Sequence, residues 1–266
     1  KKNKTAWVNR DDDYANIMES AVQDKKVCTC YSYGMTGTSD LYIFDTTFTS
    51  KNSIFHLKFH GKEYLVKTKL AGRFNIYNST AAAAAAFSEG VPVETVVKAL
   101  STFQSVPGRF ELIDEGQPFT VVVDYAHTPD GLEKVLTTAR EITEGRVIAV
   151  FGCGGDRDKL KRPVMGRIAG EYADIVIITG DNPRTENPLT IIEEVKAGIA
   201  EILVKNPLLQ YKIEPDRRKA IQKAISLAEE KDMVIIAGKG HENYQILKDR
   251  TIHFDDREEV RMVLRG

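Results

Sequence analysis

Four short polar segments carry most of the residues able to do chemistry. They are Asp124-Tyr125-Ala126-His127-Thr128-Pro129, Gly152-Cys153-Gly154-Gly155-Asp156-Arg157-Asp158-Lys159, Gly180-Asp181-Asn182-Pro183-Arg184 and Gly238-Lys239-Gly240-His241-Glu242. Glycines let backbone N–H groups approach an anion, and a helix starting just beyond them favours negative charge. Arginine presents a planar fork of donors that meets a carboxylate or phosphate at two points, while Asp and Glu can hold an ammonium. Arg157, Asp181, Asn182, Arg184 and Glu242 together carry both signs, which suits a zwitterion such as an amino acid better than a polyanion. Taken singly, each of these residues reads equally as a solvated loop charge or a helix cap. The recurrence of four such segments is what argues for a site. Two nucleotide signatures are missing. Gly61-Lys62 is followed by Glu63 and Gly238-Lys239 by Gly240, so no G-x-x-x-x-G-K-[ST] occurs, and Gly152 to Gly155 is not a G-x-G-x-x-G fingerprint.

Each segment follows a short apolar run: residues 120–123, 147–151, 175–179 and 234–237. Between and after these runs, helices are predicted over 131–141, 163–172, 188–203, 216–229 and 256–264, with Asn187-Pro188 as N-cap and N1 of the third. Continuous apolar strands alternating with amphipathic helices imply a mostly parallel sheet covered on both faces. Ligands of such sheets bind at the carboxyl ends of the strands, where the four polar segments stand. The first part of the chain has a different texture. A short buried strand is predicted at 5–9, and a helix at 11–23 with acidic residues in its first turn. An antiparallel meander is predicted over 27–69, with turns at Tyr33-Gly34, Ser50-Lys51-Asn52 and His60-Gly61-Lys62. Two helices follow at 72–90, with six consecutive alanines from Ala81 to Ala86, and at 93–103. Pro107-Gly108 marks the boundary between domains 1–106 and 107–266.

Composition narrows the class. A net charge of −1 leaves no basic stripe for nucleic acid. No apolar run approaches the ~20 residues of a membrane span, and the basic start, residues 1–5, leads into no hydrophobic signal core. The three cysteines, Cys28, Cys30 and Cys153, form no secreted framework, and the C-x-C pair lacks a second ligand pair at zinc spacing. Free thiols and a cytoplasmic location are expected.

Asp181-Asn182-Pro183-Arg184 is similar to the DNPR motif of the diaminopimelate-adding branch of the Mur ligase family. The other three segments, together with Pro107-Gly108-Arg109-Phe110-Glu111, resemble further signatures of that family in the same order. Phe74-Asn75-Ile76-Tyr77-Asn78 resembles its HNxxN segment, with Phe74 in place of the usual His. The resemblance covers essentially the whole chain. It implies an α/β fold: a partial P-loop-type central domain containing the meander, then a Rossmann-like C-terminal domain that brings in the amino acid. The chain would start after the position of the family's P-loop and carbamylated lysine, and residues 1–266 alone are expected not to turn over.

The reaction implied joins meso-diaminopimelate to UDP-N-acetylmuramoyl-L-alanyl-D-glutamate. ATP phosphorylates the glutamate side-chain carboxylate, because a carboxylate is a poor electrophile, and the amine then attacks the acyl phosphate. Mg2+ ions bridge the phosphates. By the resemblance, Asn75, Asn78, Arg109 and Asp124 belong to the ATP side, and His127 lies near the phosphates as a catalytic residue. Arg157, Asp181, Asn182, Arg184, Gly238 and Glu242 hold diaminopimelate, with Arg184 on the far carboxylate that L-lysine lacks. On residue type alone, Asn75, Asn78 and Asp124 read equally as helix caps and Arg109 as a boundary salt bridge; Asp216-Arg217-Arg218 resembles a family motif and reads equally as a surface charge cluster. A monomer with no nucleic-acid partner and no membrane insertion is expected. A folylpolyglutamate-synthase-like ligase and a non-catalytic amino-acid-binding module remain as alternatives.

Overall fold

The computed structural model describes residues 4–25 and 28–266, and the chain forms two compact units, Lys1–Gln104 and Ser105–Gly266. The first residues of the basic start and Val27, where the predicted meander begins, lie outside the described residues.

The first unit contains β1 (Thr5–Asn9), α1 (Ala15–Lys25), β2 (Thr29–Gly34), β3 (Leu41–Phe48), β4 (Ser53–Phe59), β5 (Lys62–Thr68), α2 (Arg73–Ser88) and α3 (Val93–Thr102). Its five strands lie in the order β1-β2-β3-β4-β5. Only β3, β4 and β5 form the expected antiparallel meander; β2 pairs in parallel with both β1 and β3. The difference follows from the connections. A helix carries the chain from β1 to β2, as a parallel pair requires. In contrast, His60 and Gly61, both at positive φ (48° and 75°), make the two-residue turn that favours a hairpin.

Two further expectations change. β1 is an edge strand with only Val8 buried. The acidic residues before α1 are outside its first turn: Asp11 accepts the N–H groups of Met35 (2.5 Å) and Thr36 (3.0 Å) and the Tyr77 hydroxyl (2.8 Å). It therefore pins the loop after β2 instead of capping a helix. The alanine run lets α2 lie close on the sheet, with Ala83, Ala84 and Ile76 packed against Leu41, Ile43, Phe55, Leu57 and Val66.

The second unit contains β6 (Glu111–Ile113), β7 (Thr120–Asp124), α4 (Pro129–Ile142), β8 (Val147–Phe151), α5 (Lys161–Tyr172), β9 (Ile175–Ile178), α6 (Pro188–Leu203), β10 (Gln210–Ile213), α7 (Arg217–Leu227), β11 (Met233–Ala237), β12 (Tyr244–Ile246), β13 (Thr251–His253) and α8 (Asp256–Arg265). Six strands form one sheet in the order β10-β9-β8-β11-β7-β6, parallel except for β6. The central strands are buried along their whole length, as their unbroken Val and Ile runs predict.

Alternate strand residues, among them Val121, Ile148, Ile177 and Ile236, pack with Ala220, Ile221 and Ala224 of α7 and Val260 of α8. α4, α5 and α6 pack side by side as a second helical layer. α5 and α6 meet through glycines: a Cβ on Gly198 would stand 1.8 Å from the Pro163 carbonyl oxygen, and one on Gly166 2.0 Å from that of Val195. Asn187 caps α6, its side chain accepting the Leu189 N–H, with Pro188 at N1 as expected.

Candidate functional site

β7, β8, β9 and β11 run parallel, so the polar segments that follow them emerge at one edge of the sheet. They surround a cleft of about 820 Å³. Its lining includes His127, Arg157, Asp181, Asn182, Arg184, Gly238 and Glu242. Every residue expected to hold an amino acid, and His127, therefore meets in one cavity.

The floor is a buried charge network. Asp181 and Asn182 are buried, and Lys239 is fully buried. The Lys239 ammonium donates to Asn182 Oδ1 and to Glu242 Oε2, both at 3.3 Å, and stands 3.8 Å from Asp181 Oδ1. Asn182 Nδ2 donates to Glu242 Oε2 at 3.1 Å, while its Oδ1 accepts the Ile246 N–H at 2.9 Å. This second contact fixes which way the amide faces. Burial pushes the Asp181 carboxyl upward, and the nearby charges of Arg217 and Lys239 oppose that shift. Gly238 has φ +122°, and a Cβ there would stand 3.0 Å from Asp181 Oδ2. Glycine is thus required both by the backbone and by the carboxylate beside it.

The walls carry the arginines. Arg184 is half-buried in the left-handed region (φ 52°), and its Nη1 donates to the Gly155 carbonyl at 2.8 Å. Arg157 is exposed. Neither arginine forms an ion pair among the described residues. His127 Nδ1 lies 2.8 Å from the Tyr125 carbonyl oxygen, which can only accept. The proton is therefore on Nδ1, and Nε2 is the acceptor of the neutral ring. Lys161 Nζ donates to the His127 carbonyl at 2.7 Å, tying the start of α5 to the segment after β7.

The residues expected on a nucleotide side do not line this cleft. Asn75 and Asn78 belong to the first unit, on α2. The N-cap of α2 is Gly72, so neither asparagine is a cap. Asn75 is buried and donates to the Ala71 carbonyl at 2.8 Å, and Asn78 donates to Asn75. Asp124 is not the cap of α4 either; that is Thr128. Its carboxylate accepts the N–H groups of Phe110 (2.6 Å) and Ala126 (2.7 Å), one on each oxygen. Burial pushes its carboxyl upward against those two hydrogen bonds. Each oxygen keeps a lone pair for a hydroxyl donor. Arg109 forms no ion pair among the described residues; its guanidinium lies 4.5 Å from the centre of the Tyr125 ring. Among the described residues, no group of three or more His, Cys, Asp or Glu could hold a metal ion.

For Arg217 the structure decides against the surface-cluster reading. This residue is fully buried and forms a two-point pair with Asp256 (2.7 and 2.8 Å) while donating to the Ala237 carbonyl at 3.0 Å. Lys239 and Arg217 were residues whose importance was hidden, as was Arg162, fully buried at the start of α5. Only Lys239 had a local signal, its place between two glycines at a strand end.

The family model described as the Mur ligase glutamate ligase domain matches residues 108–240, and that of the Mur ligase middle domain matches residues 1–86. The chain belongs to the Mur ligase family. Among curated relatives, the UDP-N-acetylmuramoyl-L-alanyl-D-glutamate–2,6-diaminopimelate ligase of Solibacter usitatus is 46% identical over 261 residues, covering 98% of this chain and 51% of the relative. The protein of the same name from Geobacillus kaustophilus is 44% identical over 262 residues, covering 98% and 52%. A solved structure of a ligase of this name superposes with a TM-score of 0.69 at 38% identity, over 98% of this chain and 53% of that one. The MurF ligase of Thermotoga maritima, solved in complex with ADP, shares the fold at TM-score 0.64 and 16% identity, over 99% and 53%. The chain spans about half the length of the curated relatives it matches.

Proposed function

We propose that this Mur ligase chain serves an ATP-dependent enzyme that joins meso-diaminopimelate to UDP-N-acetylmuramoyl-L-alanyl-D-glutamate during peptidoglycan precursor synthesis in the cytoplasm. Residues 1–106 would complete the ATP-binding central domain, and residues 107–266 would hold the amino acid. The observation that carries this reading is the single cleft. It gathers two arginines that have no carboxylate partner among the described residues, and two carboxylates, Asp181 and Glu242, around a buried amide. Such a lining fits an amino acid with ammonium and carboxylate groups at both ends.

Within that reading, each residue has a chemical task. Asp181, Asn182 and Glu242 hold an ammonium, and the glycine at 238 leaves room for it beside Asp181. Arg157 and Arg184 pair with carboxylates, Arg184 with the one at the far end. ATP supplies the phosphoryl group that turns the acceptor carboxylate into an electrophile, and Mg2+ shields the phosphates. Asn75, Asn78, Arg109 and Asp124 are assigned to the nucleotide, with the spare lone pairs of Asp124 suited to ribose hydroxyls. His127 presents Nε2 as a base or, once protonated, as a partner for phosphate oxygens. The C–N bond forms as the C–O bond to phosphate breaks, and the attacking amine must lose a proton. No helix among the described residues is long and apolar enough to cross a membrane, and a monomer is proposed.

The test is ATP-dependent phosphate release by a full-length ligase carrying this chain, offered the UDP-dipeptide with meso-diaminopimelate or with L-lysine. Release is expected with diaminopimelate only. Lysine would leave the half-buried Arg184 guanidinium without a partner, a cost of about 2–5 kcal/mol, or at least ~30-fold in kcat/KM. Arg184→Ala should raise KM for diaminopimelate by a similar factor and leave KM for ATP within about two-fold. Equal loss for both substrates would sink the assignment of Arg184. No release with either amino acid would favour the amino-acid-binding module.

A further inference from the structure

The two loops that carry the cleft arginines are joined by a buried fork outside the cleft. Arg162, the second residue of α5, is fully buried. Its Nη1 donates to Glu186 Oε2 at 3.0 Å and to Glu194 Oε2 at 2.6 Å; its Nη2 donates to Glu186 Oε1 at 2.9 Å and to the Gly154 carbonyl at 3.2 Å. Glu186 Oε1 also accepts the Asp156 N–H at 2.6 Å. One guanidinium–carboxylate pair therefore holds backbone from the loop after β8 against side chain from the loop after β9.

Smaller contacts complete the seam. Gly155 N–H donates to the Asn182 carbonyl at 2.9 Å, and Thr185 Oγ1 donates to Asp156 Oδ1 at 2.7 Å. Asp156 and Arg184 both have left-handed backbone, with φ of 54° and 52°. Non-glycine residues keep that conformation only where the surroundings over-determine it.

We infer that the Arg162–Glu186 fork is a positioning device for Arg184, and that it sets the preference for an amino acid bearing a second carboxylate at its far end. This rests on the reading that the cleft takes diaminopimelate. Neither residue lines the cleft, so both act through the loop residues they hold, with Arg184 the one that reaches the ligand's far carboxylate. The link is short: Glu186 is two residues from Arg184, and Arg162 grips the Gly154 carbonyl next to Gly155, whose carbonyl accepts from Arg184. The fork also holds the Glu186 carboxyl down at about 2, so the clamp stays ionised across the working pH range. A two-point contact between Arg184 and a carboxylate tolerates little displacement, because misplacement by about 1 Å can cost ~100-fold.

The experiment is steady-state kinetics on the full-length ligase with Glu186→Gln, alone and combined with Arg184→Ala, following meso-diaminopimelate, L-lysine and ATP. Glutamine turns one accepting oxygen into a donor facing Arg162. The single variant should raise KM for diaminopimelate by about 10- to 100-fold, lower the diaminopimelate-over-lysine ratio by the same factor, and leave KM for ATP within about two-fold. In the Arg184→Ala background the same change should add less than about three-fold. Glu186→Asp, which keeps the charge but shortens the reach, should show the same pattern at smaller amplitude if the glutamine variant folds poorly. Equal effects in both backgrounds, or an unchanged amino-acid ratio, would overturn the inference. If Arg184→Ala alone leaves diaminopimelate use intact, the reading of the cleft fails first and this inference falls with it.

Discussion

Asp256→Asn tests whether the charge network behind the cleft is structural. Arg217 and Asp256 are the first residues of α7 and α8, and both are fully buried. Their two-point pair at 2.7 and 2.8 Å fastens these helices together, and the Ala237 carbonyl fastens both to β11. Asparagine keeps the shape but removes the negative charge, leaving a buried guanidinium that only the more remote charges of Asp181 and Glu242 favour. Breaking a buried pair in this way costs about 3–5 kcal/mol. The second unit runs from 105 to 266 inclusive, 162 residues. At about 2.1 cal/mol/K per residue its unfolding entropy is about 0.34 kcal/mol/K. The expected fall in melting temperature is therefore about 9–15 °C by scanning calorimetry. The double variant Arg217→Met with Asp256→Leu removes both charges and should recover most of that loss. A fall below about 3 °C for Asp256→Asn, or a double variant no better than the single, would refute the argument that burial makes this pair indispensable.

The remaining predictions concern packing and thiol chemistry. Gly198→Ala should lower the melting temperature by about 3–9 °C, because the new methyl overlaps the Pro163 carbonyl and overpacking costs about 1–3 kcal/mol. An unchanged or higher value, as alanine's better helix propensity alone would give, would contradict the close α5–α6 approach. Burial pushes the Cys153 thiol up to about 12, so at pH 8 its reactive thiolate is scarce. Thiol titration of the folded chain should label Cys28 and Cys30 but release the third equivalent only in denaturant; rapid labelling of all three would show that the loop after β8 opens.

What could be read from the sequence follows the physics of each element. The strands β7, β8, β9 and β11 were legible because burial on both faces demands unbroken apolar runs. Their polar termini were legible because charged residues and glycines cut off each apolar run at the same point, directly after the strand. β10, with the sequence Gln-Tyr-Lys-Ile, is an edge strand with no fully buried residue, so it offers no such run, and the three-residue β6 is too short for any periodicity. The parallel pairing of β2 was hidden because aromatic and β-branched residues signal a strand but not its direction. At the site, Arg157, Asp181, Asn182, Arg184 and Glu242 could be named from their types and strand-end positions. Arg162 and Arg217 could not, since a charged residue is ordinarily solvated, and only partners far along the chain reveal that it is buried; for Lys239 the one local cue is its place between two glycines. Asp256 lies 39 residues from Arg217, and Glu186 24 residues from Arg162.

That division has a physical basis. A buried charge must be compensated within the protein, so Asp181 has Arg217 and Lys239 at its back, and Arg162 has Glu186 and Glu194. The cleft arginines differ: Arg157 and Arg184 have no carboxylate paired with them among the described residues, whereas Asp181 and Glu242 already share the Lys239 ammonium. The compensated groups need contacts between distant segments, which no local pattern encodes. The uncompensated ones need only a position at the end of a strand. The specificity of the cleft is then a difference between these two kinds of charge: a ligand that brings a carboxylate to Arg184 completes the balance, and one that does not leaves the half-buried guanidinium without a counter-charge.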